Sequence, residues 1–328
     1  MQASRRLALL IAAATLSAGA FAQAASTGSG QAWPAKPIRI VVPYPAGGTT
    51  DQLARAIQAP LAEALGQPIV IENKPGAGGT LGTDAAAKAA PDGYTLVFGN
   101  SGPNALAGLV RKLPYDTLKD LRTLSTAAIV PMIFTVPAES PHRTLKEFIA
   151  HARAQGTALN YGSVGQGSLS HLTGELFNEL AGLKMQHIPY AGGAPMITAF
   201  AGGQLHAAFV TGLDGASMVQ AGRVRYLAVG TPARTDVLPG VPAVAEDVPG
   251  FRSTAWFGLL APRAVPDDIA AKLQAAIVKA VARPEIRKLF AERNVEARSS
   301  TPQEFEKLIR DEMAQWAPVV AKADIKPS

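Results

Sequence analysis

The stretch Ile38-Arg39-Ile40-Val41-Val42-Pro43-Tyr44-Pro45-Ala46-Gly47-Gly48 reads as a buried strand that runs into a glycine turn. The chain writes it again in shorter form, where 185–188 leads into Pro189-Tyr190-Ala191-Gly192-Gly193. Each copy feeds a helical pattern. A strand that ends in glycines and opens a helix leaves several backbone N–H groups without partners, with the positive end of the helix dipole behind them. Such a turn cradles an anion. Two of them in facing lobes would grip a small carboxylate from both sides, which points to a binding protein before it points to a catalyst.

Outward from the first copy, Leu53, Ile57, Leu61 and Leu65 recur at helical spacing until Gly66 and Pro68 stop the pattern. Pro60 falls inside it and should kink the helix or end its first half. A strand at 69–72, a glycine turn at 76–79, a short helix at 81–89 and a strand at 94–99 complete a β-α-β-α-β series. The segment 131–137 is extended and bracketed by prolines, and Thr144 with Glu147 forms a capping box for the next helix. A second α/β lobe begins near there. It carries a strand at 158–161, a glycine loop at 162–168, a helix at about 169–180, the second cradle with its helix, and strands at 205–211 and 224–230. The segment 254–261, again extended, would recross to the first lobe. Two crossings let lobes hinge, and ligands of open α/β sheets bind beyond the carboxyl ends of the strands. The C-terminal part is helical: Ile269, Leu273, Ile277 and Val281 line one face, then Thr301-Pro302-Gln303-Glu304 caps a stripe of Phe305, Leu308, Ile309, Met313 and Trp316. That stripe is expected to pack against the first lobe.

The first 24 residues have the layout of a secretory leader: Arg5 and Arg6, an apolar run over 7–21, then small residues for cleavage. The run is shorter than the ~20 apolar residues a membrane span needs. Ser4-Arg5-Arg6 also permits twin-arginine export. The chain has no cysteine, which removes a lipoprotein anchor, disulfides and thiol catalysis together. The mature protein is therefore expected in the periplasm. Loss of Arg5 and Arg6 lowers the formal net charge from +6 to +4, and the remaining cations are scattered, so nucleic-acid binding has little support. A mature length of about 300 residues favours two lobes.

The loop Asn160-Tyr161-Gly162-Ser163-Val164-Gly165-Gln166-Gly167-Ser168, with His171 one turn into the following helix, offers backbone amides and hydroxyls at a helix start. Its glycine order is not the dinucleotide fingerprint, and no Walker motif occurs. Ser163 or Ser168 with His171 could form a nucleophile and base of a secreted serine hydrolase, but no Gly-x-Ser-x-Gly elbow accompanies them. Five histidines, at 142, 151, 171, 187 and 206, show no metal-ligand spacing. No metal or other cofactor is expected. His171 alone is placed to reach the cleft, either to contact ligand or to brace the loop.

The stretch Trp33-Pro34-x-Lys36-Pro37-Ile38-Arg39-Ile40-Val41-Val42-Pro43-Tyr44-Pro45-Ala46-Gly47-Gly48-x-x-Asp51 resembles the start of mature Bug proteins, the extracytoplasmic solute receptors of tripartite tricarboxylate transporters. Further matches follow in order: Glu72-Asn73-Lys74-Pro75-Gly76-Ala77-Gly78-Gly79, Ala90-Pro91-Asp92-Gly93-Tyr94-Thr95-Leu96, Leu113-Pro114-Tyr115-Asp116, Asn160-Tyr161-Gly162-Ser163 with Gly167-Ser168 and His171-Leu172, His187-Ile188-Pro189-Tyr190, and Trp256-Phe257-Gly258-Leu259-Leu260-Ala261-Pro262. The resemblance implies a type II periplasmic-binding-protein fold: a leader at 1–24, a first lobe of 33–135 and 253–328, a second lobe of 136–252, two crossing strands between them, and closure on a small organic acid. It also implies a permease partner in the membrane and a monomeric receptor. A sensory receptor that hands its closed form to a membrane histidine kinase would use the same flytrap.

Carried onto this chain, the resemblance places first-lobe contacts at Tyr44, Ala46, Gly47, Gly48, Asp51 and Ser101. Second-lobe contacts fall at Ser163, Gly165, Ser168, His171, Tyr190, Gly192, Thr211 and Asp214. Asp51 is open to two readings, a water-mediated ligand contact or a helix-start carboxylate turned away from an anion. Asp214, if it faces the cleft, would welcome an ammonium group. Ala191 stands where many members carry Lys or Arg, which removes one cation. Charge-assisted hydrogen bonds worth ~1.5 to 3 kcal/mol each would still sum to micromolar affinity, about −8 kcal/mol, without an arginine.

Overall fold

β1 (Ile38–Val42) is buried at all positions but Arg39 and pairs in parallel with β2 (Ile69–Asn73) in the register Ile38↔Ile69, and with β3 (Thr95–Asn100) in the register Arg39↔Thr95. The computed structural model describes residues 33–190 and 193–323, so the expected leader at 1–24 and Gly192 lie outside the described residues. Parallel neighbours need crossover helices. These are α1 (Thr49–Leu65), which buries Leu53, Ile57 and Leu61, and α2 (Thr80–Ala87). Of the two outcomes expected, a kink or an end to the first half of the helix, the second does not occur at Pro60. The helix runs through it to Leu65 and the left-handed C-cap Gly66, with Pro60 on the buried face. The missing proline N–H deprives one carbonyl of its donor, and burial of the ring with the neighbouring leucines offsets that loss.

Beyond β3 the chain makes a turn of π-helix at Gly102–Leu106, then two single-turn helices, α3 (Ala107–Val110) and α4 (Thr117–Asp120), before β4 (Leu121–Pro137). β4 is far longer than the expected 131–137. Its first part pairs antiparallel with β9 (Thr254–Pro262), from Leu121↔Pro262 to Pro131↔Thr254, and β9 lies in turn against β3 with Val97↔Leu260. Its last residues pair with β7 (Ala207–Thr211), from Met132↔Thr211, and with β8 (Val224–Val229), from Ile133↔Val229. β5 (Asn160–Ser163) runs parallel to β6 (Gln186–Pro189) and β7. The resulting order is β2-β1-β3-β9-β4-β7-β5-β6, with β8 and a two-residue β10 (Glu296–Ala297) also on β4.

β4 thus changes partners between Pro131 and Met132. Gly230 closes that junction: its N–H donates to the Met132 carbonyl at 2.7 Å and its carbonyl accepts from Ser253 at 2.7 Å. A β-carbon there would lie 2.5 Å from the Ser253 carbonyl oxygen, so only glycine fits.

The second strand group carries α5 (Leu145–Gln155), α6 (Leu169–Ala181), α7 (Gly193–Ala201), α8 (Gly212–Gln220) and α9 (Val244–Asp247). The chain ends in α10 (Asp267–Val281), α11 (Pro284–Ala291) and α12 (Pro302–Lys322). One core gathers Val41, Val97, Trp256 and Leu260 with Phe305 and Ile309 of α12. A second core centres on Phe134, whose ring lies 4.9 Å from Phe148, 5.0 Å from Phe177 and 5.2 Å from Phe209. Burying each such ring stabilises by roughly 1.5 to 3 kcal/mol. α12 does not pack against the first core alone. Trp316, Val319 and Val320 belong to the second, so the helix spans both. Its expected capping box is present, with Thr301 Oγ1 accepting from Glu304 N.

Candidate ligand-binding cavity

The first glycine turn delivers what its sequence promised. Gly47 adopts φ +85°, and Gly48 stands at the start of α1 with extended backbone and no side-chain cap, which leaves first-turn N–H groups free. Asp51 is held behind the turn, only 3% exposed. It accepts from Gly47 N, Arg55 Nε and Asn73 Nδ2, each at 2.9 Å. Burial opposes its ionisation, yet Arg55, the Gly47 amide and Asn73 outweigh burial and hold the carboxyl below its ordinary range.

The loop from β5 into α6 is tied down from within. Ser168 Oγ accepts from His171 N and donates to Gly165 O at 2.6 Å, while Ser170 Oγ accepts from Val164 N at 3.1 Å. His171 Nδ1 accepts the Gly167 N–H at 3.0 Å, and its ring stacks on His187 with centroids 3.7 Å apart. His187 Nε2 in turn meets Ser163 Oγ at 2.6 Å. Burial pushes His171 down to about 4; burial and the neighbouring His171 push His187 down to about 3. Both rings are neutral at neutral pH, and they support the loop from below. Ser163 is fully buried and meets His187, while Ser168 Oγ donates to Gly165 O, so neither serine is paired with a ring nitrogen of His171 as the hydrolase reading requires.

The ends of β1, β3, β7 and the β5–α6 loop open on one cavity of about 760 Å³. Its floor is apolar, formed by Met132, Phe209 and Phe257 with Met196 and Val210. The polar rim includes Tyr44, Gly48, Thr49, Thr50, Asn100 and Ser101 on one side and Gly165, Ser168, Ser170, Thr211 and Asp214 on the other. Of the residues expected from sequence, Tyr44, Gly48, Ser101, Gly165, Ser168, Thr211 and Asp214 therefore meet. Ala46, Gly47, Asp51, Ser163, His171 and Tyr190 are not on the cavity wall; Gly47 shapes the first turn and Asp51 braces it, Ser163 and His171 brace the β5–α6 loop, and Tyr190 packs beside Met196. Asp214 has company that sequence did not show: its carboxylate accepts from Thr211 Oγ1 at 2.6 Å and from Thr49 Oγ1 at 3.3 Å, a hydrogen bond across the cavity.

Sequence reading also missed Arg111, at the end of α3, which brings a guanidinium to the cavity wall beside Ala77 and Gly78. Nothing in its local pattern marks it, because a Gly-Pro pair precedes the short helix that carries it. Tyr44 stands nearby with its hydroxyl donating to Gly78 O at 3.2 Å. Burial pushes its pKa up to about 12 against the pull of Asn100 and Arg111, so the phenol stays protonated. Among the described residues no cluster of three or more His, Asp or Glu side chains is placed to hold a metal ion, and no helix is long and apolar enough to cross a membrane.

Residues 53–325 match the tripartite tricarboxylate transporter family receptor, TctC. The chain belongs to that family. Among solved structures, this receptor is similar to Rpa4515 of R. palustris with adipate, at 34% identity and a TM-score of 0.82 over 90% of this chain and 100% of that one. It is also similar to MatC from Rhodopseudomonas palustris with bound malate, at 33% identity and 0.77 over 88% and 100%. The periplasmic binding protein BugD shares 28% identity and 0.78 over 90% and 99%, which bears out the Bug resemblance and the α/β fold of periplasmic solute-binding proteins. The family consists of solute-binding receptors, not enzymes.

Proposed function

We propose that this receptor works in the periplasm, captures a small carboxylate-bearing metabolite between lobes 33–135 with 253–328 and 136–252, and delivers the closed form to the membrane subunits of a tripartite tricarboxylate-type transporter. The observation that carries this reading is the uncapped start of α1 on the same cavity as the start of α6, two helix N-termini contributed by different strand groups. A carboxylate placed there meets free amides and hydroxyls above an apolar floor. The adipate and malate held by Rpa4515 and MatC support an organic acid as the ligand class. The partner change of β4 at Pro131–Met132, beside Gly230, supplies a pivot about which the two strand groups can close.

The test is thermal denaturation of the mature protein with amino acids, dicarboxylates, tricarboxylates and aromatic acids, since a ligand of the native state alone raises the melting temperature. A rise with one chemical class, together with a smaller radius of gyration by X-ray scattering, supports capture by closure. No rise at millimolar concentration of any acid removes the reading.

A further inference from the structure

β9 separates two cavities. Ala255 and Phe257 face the ligand cavity, whereas Thr254 and Trp256, one residue out of step, line a second cavity of about 720 Å³. Glu312 of α12 borders that second cavity, yet its carboxyl is buried. Its Oε2 accepts from Trp256 Nε1 at 2.5 Å, and the backbone N–H of the same tryptophan donates to Ser101 Oγ at 3.2 Å. Ser101 stands on the wall of the ligand cavity. One residue of β9 therefore joins a carboxyl behind the wall to a hydroxyl that faces the ligand. A buried acid costs stability that an apolar side chain of similar volume would not, so its presence points to a use.

Burial pushes the Glu312 carboxyl up to about 7, against hydrogen bonds from Ser101, Trp256 and Trp316 and the charge of Arg252. Arg252 itself donates from Nε to Gln315 Oε1 at 2.6 Å. The other charged groups on the second cavity are engaged with one another or with backbone. Arg234 pairs with Glu246, Arg298 with Glu296 and Lys307 with Asp311, while Glu304 accepts from Thr301 N. β9, α3 and the turn Gly102–Leu106 carry no ionisable residue. Elsewhere around α12, Arg122 of β4 pairs with Asp267, and on α6 Glu175 accepts from Tyr161 and Glu179 from Lys322.

We infer that Glu312 is a proton site linked to the ligand cavity through Trp256 and Ser101, so that the receptor binds an anionic ligand more tightly with this carboxyl protonated and takes up a proton on binding. This rests on the cavity being a carboxylate site. Two effects share the sign. An ionised Glu312 draws the Ser101 hydroxyl proton to itself, and it sets a negative charge behind the wall that the ligand meets. A neutral Glu312 does neither, and Ser101 then donates to a ligand oxygen while still accepting from Trp256 N. By reciprocity the bound anion raises the affinity of Glu312 for its proton by the same factor.

The test titrates L-malate, L-glutamate and benzoate calorimetrically into the wild type, E312Q and D311N, these acids having carboxyls that are ionised above about pH 6. The expected result is that an acid that binds does so roughly 3- to 7-fold more weakly to the wild type at about pH 8.5 than at about pH 6, beyond any change in E312Q. Titrations at about pH 7 in two buffers of different ionisation enthalpy count the protons, about 0.3 to 0.4 taken up by the wild type and none by E312Q. D311N, an exposed acid on the same helix, should follow the wild type. Circular dichroism checks that each variant is folded, and E312M, which fills the same volume without a proton, carries the test should E312Q be unstable. If E312Q keeps the wild-type pH dependence, if the wild type takes up no proton, or if D311N flattens the dependence equally, Glu312 is not linked to the ligand while the receptor reading stands. If none of the acids binds at either pH, both fall.

Discussion

Replacing Glu312 by glutamine should remove a loss of stability that the wild type suffers as the pH rises from about 4.5 to above 7. The carboxyl is 7% exposed, on α12, and its Oε2 accepts from Trp256 Nε1 at 2.5 Å. Burial pushes its pKa up to about 7, against the opposing pull of Ser101, Trp256, Trp316 and Arg252. A carboxyl whose folded pKa lies above its unfolded value binds more protons in the native state, so its contribution is fully present below the unfolded pKa and is lost as pH rises through the folded one. The gap of about 2.5 units corresponds to about 3 kcal/mol. Glu312 borders a second cavity of about 720 Å³, which gives protons and water a route to it. Urea unfolding followed by tryptophan fluorescence, at about pH 5 and about pH 8.5, reads the effect directly, because Trp256 and Trp316 flank the site. Glutamine differs from the neutral carboxyl in its hydrogen bonding, so the slope against pH, not the absolute stability, is the observable. If wild type and E312Q run parallel to within about 0.5 kcal/mol, the buried-acid reasoning is refuted.

On the acid side the two stacked histidines act in the opposite sense. Their folded values lie below the ordinary 6.5, so the stability they contribute is present above about 6.5 and is lost as the pH falls toward 4. Ring-proton resonances of His171 or His187 that titrate near 6.5 in the folded protein would contradict their burial. Ser163→Ala should cost about 1 to 3 kcal/mol of stability by orphaning His187, with no loss of ligand affinity beyond that; weaker binding at unchanged stability would place Ser163 on the ligand instead. Asp51→Ala should likewise cost about 1 to 3 kcal/mol and loosen the 43–48 turn, seen as faster amide exchange at Gly47; protection equal to wild type would show that the turn does not need its carboxylate.

The β1–α1 unit was legible because Ile38 to Val42 is apolar at nearly every position and Gly47-Gly48 is followed by leucines at helical spacing, so local chemistry and tertiary role agree. The first part of β4 was not. Residues 121–130 are buried on both faces, which erases the alternation that marks a strand, and their Ser, Thr and Ala residues resemble a loop. Seven of the fourteen residues expected at the site do meet on the cavity, and most of the others stand one layer behind it. That layer is invisible to sequence reading because the Asp51–Asn73 contact joins α1 to β2 and the Ser163–His187 contact joins β5 to β6, elements far apart along the chain. Arg111 escaped for a related reason: its place on the cavity wall comes from its contact with Ala77, 34 residues earlier in the chain.

The place of β9 between β3 and β4 has a kinetic meaning. β3 ends at Asn100 and β4 begins at Leu121, yet the strand that joins them starts only at Thr254. Until 254–262 is available, the inner edges of β3 and of the first part of β4 have no partner, and the first core lacks Trp256 and Leu260. Closing so long a loop is slow, and contacts of such high sequence separation form late. A chain synthesised or threaded from its N-terminus therefore remains without its finished sheet for most of its length, and the strand order itself times folding to the arrival of the last quarter.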